Sequence, residues 1–184
     1  MTEKIPDFFL YTDGSGYQDG YGGAAALVLS AQHNIWKVSF AAYCGTTVER
    51  AEFEALLMGL QTILVEMKWD SAFHHQRLER MPATVRWITD RQSLAEAVRR
   101  DAEGNPVYSR RSTPDLWARF SFYERIFQVD PVFMKRETNA YHNVVDRFAS
   151  DSRLLVKDYM ELPNNSMVSI LTSALPPSNE KPSV

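Results

Sequence analysis

Two aspartates stand at the ends of apolar segments, where a buried negative charge needs a partner. Asp13 ends the run at 8–13 (FFLYTD), and Asp90 ends the run at 84–90 (TVRWITD), so both segments finish in the same Thr-Asp step. If the segments are neighbouring parallel strands, their carboxylates emerge together at the edge where ligands bind in such sheets. Close carboxylates repel unless a cation lies between them, and Mg²⁺ is the natural partner of hard carboxylate oxygens. The pattern therefore predicts a divalent metal site.

Two further acids border the same predicted core. Glu52 directly precedes the apolar stripe of a predicted helix, and Asp146 follows Val145 at the flank of the last predicted helix. Each of the four acids also has an ordinary structural interpretation. An aspartate at a strand end commonly serves a turn, and a glutamate in a first helical turn commonly stabilises the helix dipole. Only the set of four favours a shared site.

The elements that must position these acids follow from hydrophobic periodicity. Segments at 8–13, 22–30 and 34–43, joined by short turns, predict an antiparallel meander of three strands. Apolar residues at helical spacing over 53–67 predict an amphipathic helix. We expect Thr46 to cap this helix and Glu49 to close a capping box.

The second half of the chain predicts two more strands among three helices. The strands are expected at 84–90 and 131–135, and the helices at about 92–100, 113–127 and 140–157. Thr113 is the expected cap of the middle helix, with Pro114 at its first position. The passage from strand through helix to strand predicts parallel neighbours with a right-handed crossover. Together with the meander, this predicts a mixed sheet.

The composition predicts a single domain over 1–157 and a C-terminal extension over 158–184 whose last residues are disordered. The chain has 184 residues, of which 45% are hydrophobic, which is enough for a sizeable core. Its one cysteine, Cys44, excludes an internal disulfide framework and fits a reducing compartment. The sequence shows no signal pattern and no apolar run of membrane-spanning length. We therefore expect a cytoplasmic protein with no membrane association.

The charge of the chain argues against a protein that coats nucleic acid electrostatically. The formal net charge is −3 and the sequence pI is about 5.8. A nuclease stays compatible with these values, because a site built of carboxylates lowers the net charge and metal ions reverse the local sign.

Five motifs in a fixed order resemble type 1 ribonuclease H over about residues 8–155: TDGS, TTVERAEFEALLMGL, TDRQ, DLW and VVDRFAS. The resemblance implies a ribonuclease H-like α/β fold with a five-stranded mixed sheet, a three-stranded antiparallel meander plus two parallel strands, flanked by helices. It implies an endonuclease that hydrolyses the RNA strand of RNA–DNA hybrids. By motif match, two Mg²⁺ ions, with Mn²⁺ as the substitute, would be bound by four acids: Asp13, Glu52, Asp90 and Asp146.

The same resemblance suggests several contacts with substrate. Gly14, Ser15 and the turn at 16–20 would present backbone N–H groups to the substrate strand, although Ser15 also suits a purely turn-stabilising role. Gln92 matches a glutamine that the family uses in the minor groove, although it also suits a helix start. Arg136 is a candidate phosphate contact, and a plain strand-end charge is the alternative.

The chain departs from the family at the start of the first predicted helix, before the last predicted helix, and in the loop with two arginine pairs, where the family often has a basic handle. Val48 and Glu49 stand where the family often has two asparagines near the substrate. The mobile histidine that often precedes the last helix is missing. His142 lies four residues before Asp146, and it is a candidate for proton transfer or product release. A solvated histidine at a helix start is the favoured interpretation of His142.

The loop with two arginine pairs, Arg99–Arg100 and Arg110–Arg111, is a candidate binding site for the non-cleaved strand, and a solvated loop is the alternative.

Two other functions stay open beside ribonuclease H. One is a nuclease of this fold for a different nucleic acid, which Val48 and Glu49 motivate. The other is a non-catalytic nucleic-acid-binding or assembly module, since fold does not dictate function. The C-terminal extension is a candidate docking segment for a protein partner.

Overall fold

The computed structural model describes residues 5–67, 83–100, 113–135 and 139–161, and these ranges hold five strands and four helices. The strands are β1 (Phe8–Gly16), β2 (Tyr21–Ser30), β3 (Ile35–Cys44), β4 (Ala83–Thr89) and β5 (Phe127–Phe133). The helices are α1 (Val48–Glu66), α2 (Gln92–Val98), α3 (Pro114–Tyr123) and α4 (Ala140–Glu161). Their order along the chain is the predicted one.

The five strands form one mixed sheet in the spatial order β3-β2-β1-β4-β5. The first three strands pair antiparallel, whereas β4 lies parallel to both β1 and β5. Tyr11 of β1 is in register with Ile88 of β4. Asp13 and Asp90 each follow two residues later, so the two acids leave the same edge of the sheet. The predicted fold class is confirmed.

Side-chain alternation along β1 and β4 divides the interior into two cores. The larger core lies on the face covered by α1, α2 and α3, and the smaller one packs Tyr11 and Ile88 against α4. Residues i and i+2 of a strand share a face. Asp13 and Asp90 are therefore on the α4 side of the sheet, beyond the end of the smaller core.

A glycine allows α4 to approach the sheet closely. A Cβ atom built on Gly23 of β2 would overlap the carbonyl oxygen of Ala149 and would lie 2.8 Å from the backbone nitrogen of Arg153. Farther along α4, Arg153 and Lys157 form ion pairs of 3.6 and 3.5 Å with Asp19 in the β1–β2 turn. These contacts determine both the depth of α4 and its rotation about its own axis.

The start of α1 differs from the prediction by one residue. Thr47 is the cap, and its hydroxyl accepts a hydrogen bond of 3.3 Å from the backbone nitrogen of Arg50. The predicted capping box of Thr46 and Glu49 is wrong. The reason is that the backbone nitrogen of Thr46 donates to the carbonyl of Gly20 at 3.0 Å, which holds Thr46 in the connection that follows β3.

The boundary between α3 and β5 also differs. The helix ends at Tyr123 and the strand begins at Phe127, four residues before the predicted start at 131. Phe127 is buried and pairs with Ala83, which extends the parallel ladder backwards. Pro131 lies within β5, and an edge strand tolerates it because one side of the strand carries no ladder.

The start of α3 and the end of α4 also differ in detail from the predictions. Thr113 occupies the predicted cap position of α3, but it adopts a left-handed conformation with φ 53° and its side chain makes no capping hydrogen bond. The last helix, α4, continues to Glu161, past the predicted domain boundary at 157. Residues 162–184 lie outside the described ranges, as do the arginines of the second predicted pair.

Two arginine–carboxylate pairs hold α3 against α1. The guanidinium of Arg50 donates to both carboxylate oxygens of Asp115, at 3.0 and 2.6 Å, and this contact lowers the pKa of Asp115. One guanidinium nitrogen of Arg119 donates to both carboxylate oxygens of Glu54, at 2.7 and 2.9 Å. Such pairs at the surface add little stability. Among the described helices, none is long and apolar enough to cross a membrane.

Replacing Gly23 by alanine is expected to destabilise the protein by about 1–3 kcal/mol, because the added methyl group overlaps the backbone of α4. Urea unfolding followed by circular dichroism measures this change. Gln18→Ala, at an exposed position of the β1–β2 turn, is the control and should stay within about 0.5 kcal/mol of the native protein. A native-like midpoint for Gly23→Ala would contradict the close packing of α4.

The burial of Tyr43 makes the free energy of unfolding depend on pH in the alkaline range. Burial raises the pKa of Tyr43 to about 12, and the Glu54 carboxylate adds to the rise. The unfolded phenol ionises near pH 10, so this contribution is complete below pH 10 and is lost as the pH rises towards 12. Urea unfolding between pH 9 and about 11.5 should show a steeper loss for native protein than for Tyr43→Phe. Equal slopes for the two proteins would contradict the assignment.

Candidate metal centre

Three side chains that can bind a metal converge at the carboxyl ends of β1 and β4. Asp13, Asp90 and His142 each offer one ligand atom, and these atoms all lie within 4.8 Å of one another. Asp13 and His142 are each 1% exposed, and Asp90 is half-buried. The group joins the two central parallel strands to the first turn of α4.

The position of Asp13 is determined by its pairing with β2 and by the ladder with β4, which reaches Tyr11 two residues earlier. The predicted end of this strand at Asp13 is wrong. The strand continues to Gly16, because β2 pairs with β1 as far as Gly16. Asp13 lies opposite Ala25, whose small side chain leaves room on the α4 face. One residue earlier, the indole nitrogen of Trp87 donates to the hydroxyl of Thr12 at 2.8 Å. This buried bond ties β1 to β4 directly before the two acids.

Glu52 approaches from the other face of the sheet. It lies in the first turns of α1 and is 2% exposed. Gly14, which faces α1, has room only for hydrogen, because a Cβ atom there would overlap the backbone nitrogen of Glu52. The missing side chain therefore allows α1 to press against β1 beside Asp13. Glu52 is not a member of the group of three ligand atoms.

His142 is the residue for which the favoured interpretation was wrong. It is buried, not solvated, and it begins the buried stripe of α4. That stripe has the alternating spacing of three and four residues that packs one helix face: His142, Val145, Ala149, Ser152 and Val156. Apolar periodicity alone does not identify His142 and Ser152 as buried residues, because both are polar. The spacing of all five residues is the signal that identifies His142.

Asp146 lies beside this stripe. It follows Val145 by one residue, which is a rotation of about 100° around the helix, and it is half-buried. Asp146 is not a member of the group of three ligand atoms. Its role as a metal-binding acid, which comes from the motif match, stays a prediction, as does the role of Glu52.

The candidate substrate contacts have varied surroundings. Ser15 is half-buried in β1 and pairs with Gly23. Gln92 begins α2, and its side-chain nitrogen donates to Glu96 at 2.8 Å, which suits the helix-start interpretation. Its predicted contact in the minor groove stays a prediction. Arg136 lies outside the described residues.

The described residues at which the chain departs from the family lie at the start of α1 and near the end of α2. Val48 is the first residue of α1 and packs against Gly16, and Glu49 is exposed beside it. In the described arginine pair, Arg100 forms an ion pair of 2.6 Å with Glu124. This contact balances part of the charge that the predicted grip on nucleic acid would use.

The family model for RNase H matches residues 6–152. The chain belongs to the RNase H family. The resemblance predicted from the motifs and the enzyme class, a ribonuclease H acting as an endoribonuclease, are thereby confirmed. No curated protein matches the chain significantly.

Solved structures of RNase H proteins share the fold of the chain. LC11-RNase H1 in complex with an RNA/DNA hybrid is 22% identical, with a TM-score of 0.59 over 82% of this chain and 99% of that one. The N-terminal RNase H domain of Rv2228c from Mycobacterium tuberculosis is 18% identical, with a TM-score of 0.62 over 83% and 97%. RNase H1 from Halobacterium salinarum is 15% identical, with a TM-score of 0.55 over 82% and 98%. At these identities the likeness shows the fold.

The converging side chains suit a divalent cation. Moving an ionised carboxylate from water into the interior costs several kcal/mol, and a bound cation offsets this cost. Two carboxylates and an imidazole are all established ligands of divalent metals. The residues at the strand ends therefore fit the metal that the RNase H family uses.

Replacing Thr12 by valine is expected to destabilise the fold by about 1–3 kcal/mol, because the buried indole N–H of Trp87 loses its acceptor. Thr12→Ser keeps the hydroxyl and should lose less stability. Urea unfolding of the two variants measures the difference. If serine and valine destabilise equally, the hydrogen bond is not what joins β1 to β4 here.

Proposed function

We propose that this chain is a metal-dependent endonuclease that hydrolyses the RNA strand of RNA–DNA hybrids. The observation that carries the proposal is the convergence of Asp13, Asp90 and His142 at the strand ends of an RNase H fold. A buried acid beside a half-buried one is expensive to keep ionised without a cation. Their position at the carboxyl ends of parallel strands is where sheets of this class bind ligands.

The proposed cofactor is a pair of Mg²⁺ ions, with Mn²⁺ as a substitute. When bound, two such ions activate a water molecule and stabilise the leaving oxygen of an in-line displacement. Asp13 and Asp90 would hold the metal, and the motif match assigns the ligand from α4 to Asp146. The pairing of Asp13 with Ala25 of β2, next to the ladder of β1 with β4, would hold Asp13 in place before substrate arrives, which limits the reorganisation that the reaction requires.

Discrimination of RNA from DNA requires a contact with the 2′-hydroxyl, which only RNA carries. Glu52 is the candidate acceptor, because the contact between Gly14 and its backbone keeps α1 beside the proposed metal site. The backbone at Gly14, Ser15 and the following turn would contact the same strand. Neutralisation by the metal explains how an acidic site approaches a polyanion.

A second candidate function keeps the metal and changes the nucleic acid. Val48 has no side-chain hydrogen-bonding group, and the exposed Glu49 places a negative charge at the end of α1 nearest Glu52. Both features favour a substrate other than a regular hybrid. A non-catalytic binding module is the third alternative. A cytoplasmic location and a protein partner for the C-terminal extension remain predictions from the sequence.

Replacing Asp13 by asparagine is expected to reduce cleavage of a labelled RNA–DNA hybrid by a factor on the order of 100 or more, because the central metal ligand loses its charge. Gel analysis with Mg²⁺ and with Mn²⁺ measures the cleavage. Asp130→Asn is the matched control, since Asp130 is exposed on β5 and pairs with Arg86 at 3.2 Å. The control should cleave as the native protein does.

A panel of substrates separates the candidate functions. Hybrid, double-stranded RNA, double-stranded DNA and single strands are each incubated with folded native protein and with Asp13→Asn. Cleavage of another member of the panel, lost in Asp13→Asn, would favour the second function. Binding without cleavage of any member, in either metal, would overturn the nuclease proposal.

A further inference from the structure

We propose that residues 166–175 of the C-terminal extension dock on the protein's own sheet, along an apolar strip beside α4. The strip consists of Leu155, Phe148, Phe40, Val38, Trp36 and Leu29. This inference concerns an interaction surface and does not depend on the proposed function. A separate protein partner for the extension, which the sequence analysis predicted, is the alternative.

The middle of the strip is the boundary between α4 and the edge strand β3. The rings of Phe148 on α4 and Phe40 on β3 stack with their centroids 5.3 Å apart. Side chains of a strand alternate between its two faces, so Val38 and Trp36 lie on the same face as Phe40. Val38 and Phe40 are half-buried, whereas Trp36 is 63% exposed.

The lower end of the strip is the last row of the smaller core. Trp36 lies opposite Leu29 of β2, and Leu29 lies opposite Phe9 of β1. In the next row of the sheet, Leu27 and Tyr11 are buried in the smaller core, whereas Leu29 and Phe9 are only partly buried. The outer row therefore presents three large apolar side chains to solvent, and apolar patches of this kind commonly mark interaction sites.

The upper end of the strip lies on the last turns of α4. Leu155 follows Phe148 by seven residues, so both side chains lie on one flank of the helix. Leu155 is 67% exposed. The ion pair of Arg153 with Asp19 shows that this end of α4 lies near the β1–β2 turn, whereas Trp36 lies at the far end of the sheet. The strip thus extends in both directions from the stacked phenylalanines.

The chain that follows α4 has the composition of a segment that packs on an apolar surface. No residue from 162 to 179 carries a charged side chain, although 23% of the whole chain does. Residues 166–175 (SMVSILTSAL) include five large apolar side chains. Such a segment has no charge to desolvate, so covering the strip removes apolar surface from water at little polar cost.

The length of the extension suits this path. Residues 162–165 read Leu-Pro-Asn-Asn, and proline and asparagine favour the end of a helix followed by a turn. These four residues reach about 13 Å when extended, whereas the helix rises only about 9 Å from Leu155 to its end at Glu161. The next ten residues span about 33 Å, and the strip is about 10 Å long on α4 and about 13 Å long on β3.

The short connection favours the protein's own strip over a separate partner. A segment tethered by four residues has an effective concentration on the order of millimolar, so a contact too weak to hold a free partner is sufficient. Docking along α4 and β3 would also hold α4 against the sheet from the side. The extension would thereby stabilise the helix that carries His142 and Asp146.

The direct test is paramagnetic relaxation enhancement in the full-length protein. A spin label is attached to Ser173→Cys in a Cys44→Ser background, and the intensities of the backbone amide signals are measured by NMR. We expect the amides of Trp36 and Val38 to lose most of their intensity, because the label would lie beside them. The amides of α2, on the opposite face of the sheet, should keep theirs.

A mixing experiment distinguishes the protein's own strip from that of a second copy. Protein that carries ¹⁵N and no label is mixed with spin-labelled protein of natural isotopic abundance. Docking within one chain predicts no loss of intensity in the mixture. Loss at the β3 amides in the mixture would assign the strip to a second copy and overturn the inference. Unchanged β3 amides in both samples would overturn it as well, and would favour a separate partner.

A charge placed in the segment should release it. In labelled protein, Ile170→Asp is expected to restore the intensity of the Trp36 amide, and in unlabelled protein it should lower the thermal midpoint by about 4 °C. Ser178→Asp is the matched control, because it adds the same charge to the extension outside the segment. It should keep the loss of intensity and the midpoint. Equal behaviour of the two variants would contradict docking through residues 166–175.

Discussion

The burial of a carboxylate at the centre of the sheet is the constraint on which the rest of the structure depends. Asp13 is 1% exposed in β1, the middle strand of the sheet, and lies opposite Ala25 of β2. An ionised group in this environment requires a compensating positive charge. Asp90 at the same edge adds to that requirement. The surrounding elements are arranged so that a cation can satisfy both acids.

Small residues make this arrangement sterically feasible. Gly14 admits the backbone of α1 beside the acid, and Gly23 admits the backbone of α4 above it. Ala25, opposite Asp13, leaves space on the same face. With larger side chains at these positions, the helices would stand farther from the sheet and their polar residues would not reach the strand ends. The close packing of backbone on backbone is therefore part of the site.

The distribution of charge on the protein is related to the same buried carboxylate. The chain is acidic, with a net charge of −3, and the one described arginine pair is partly balanced by Glu124. Attraction to a nucleic acid cannot then come from the net charge of the protein. In the proposed function, the bound metal supplies the local positive charge. Affinity for the substrate and catalysis would consequently depend on the same ions.

The sequence by itself determined the order of elements, the mixed sheet and the meeting of Asp13 with Asp90. These features depend on local periodicity and on the rule that parallel strands end at one edge. Tertiary structure alone decided that Thr47 caps α1, that β5 begins at Phe127 and that His142 is buried. Each of these depends on contacts between residues distant in sequence. The burial of His142 is the clearest case, because the contact of Gly23 with Ala149 brings α4 close to the sheet, and helical periodicity cannot reveal that contact.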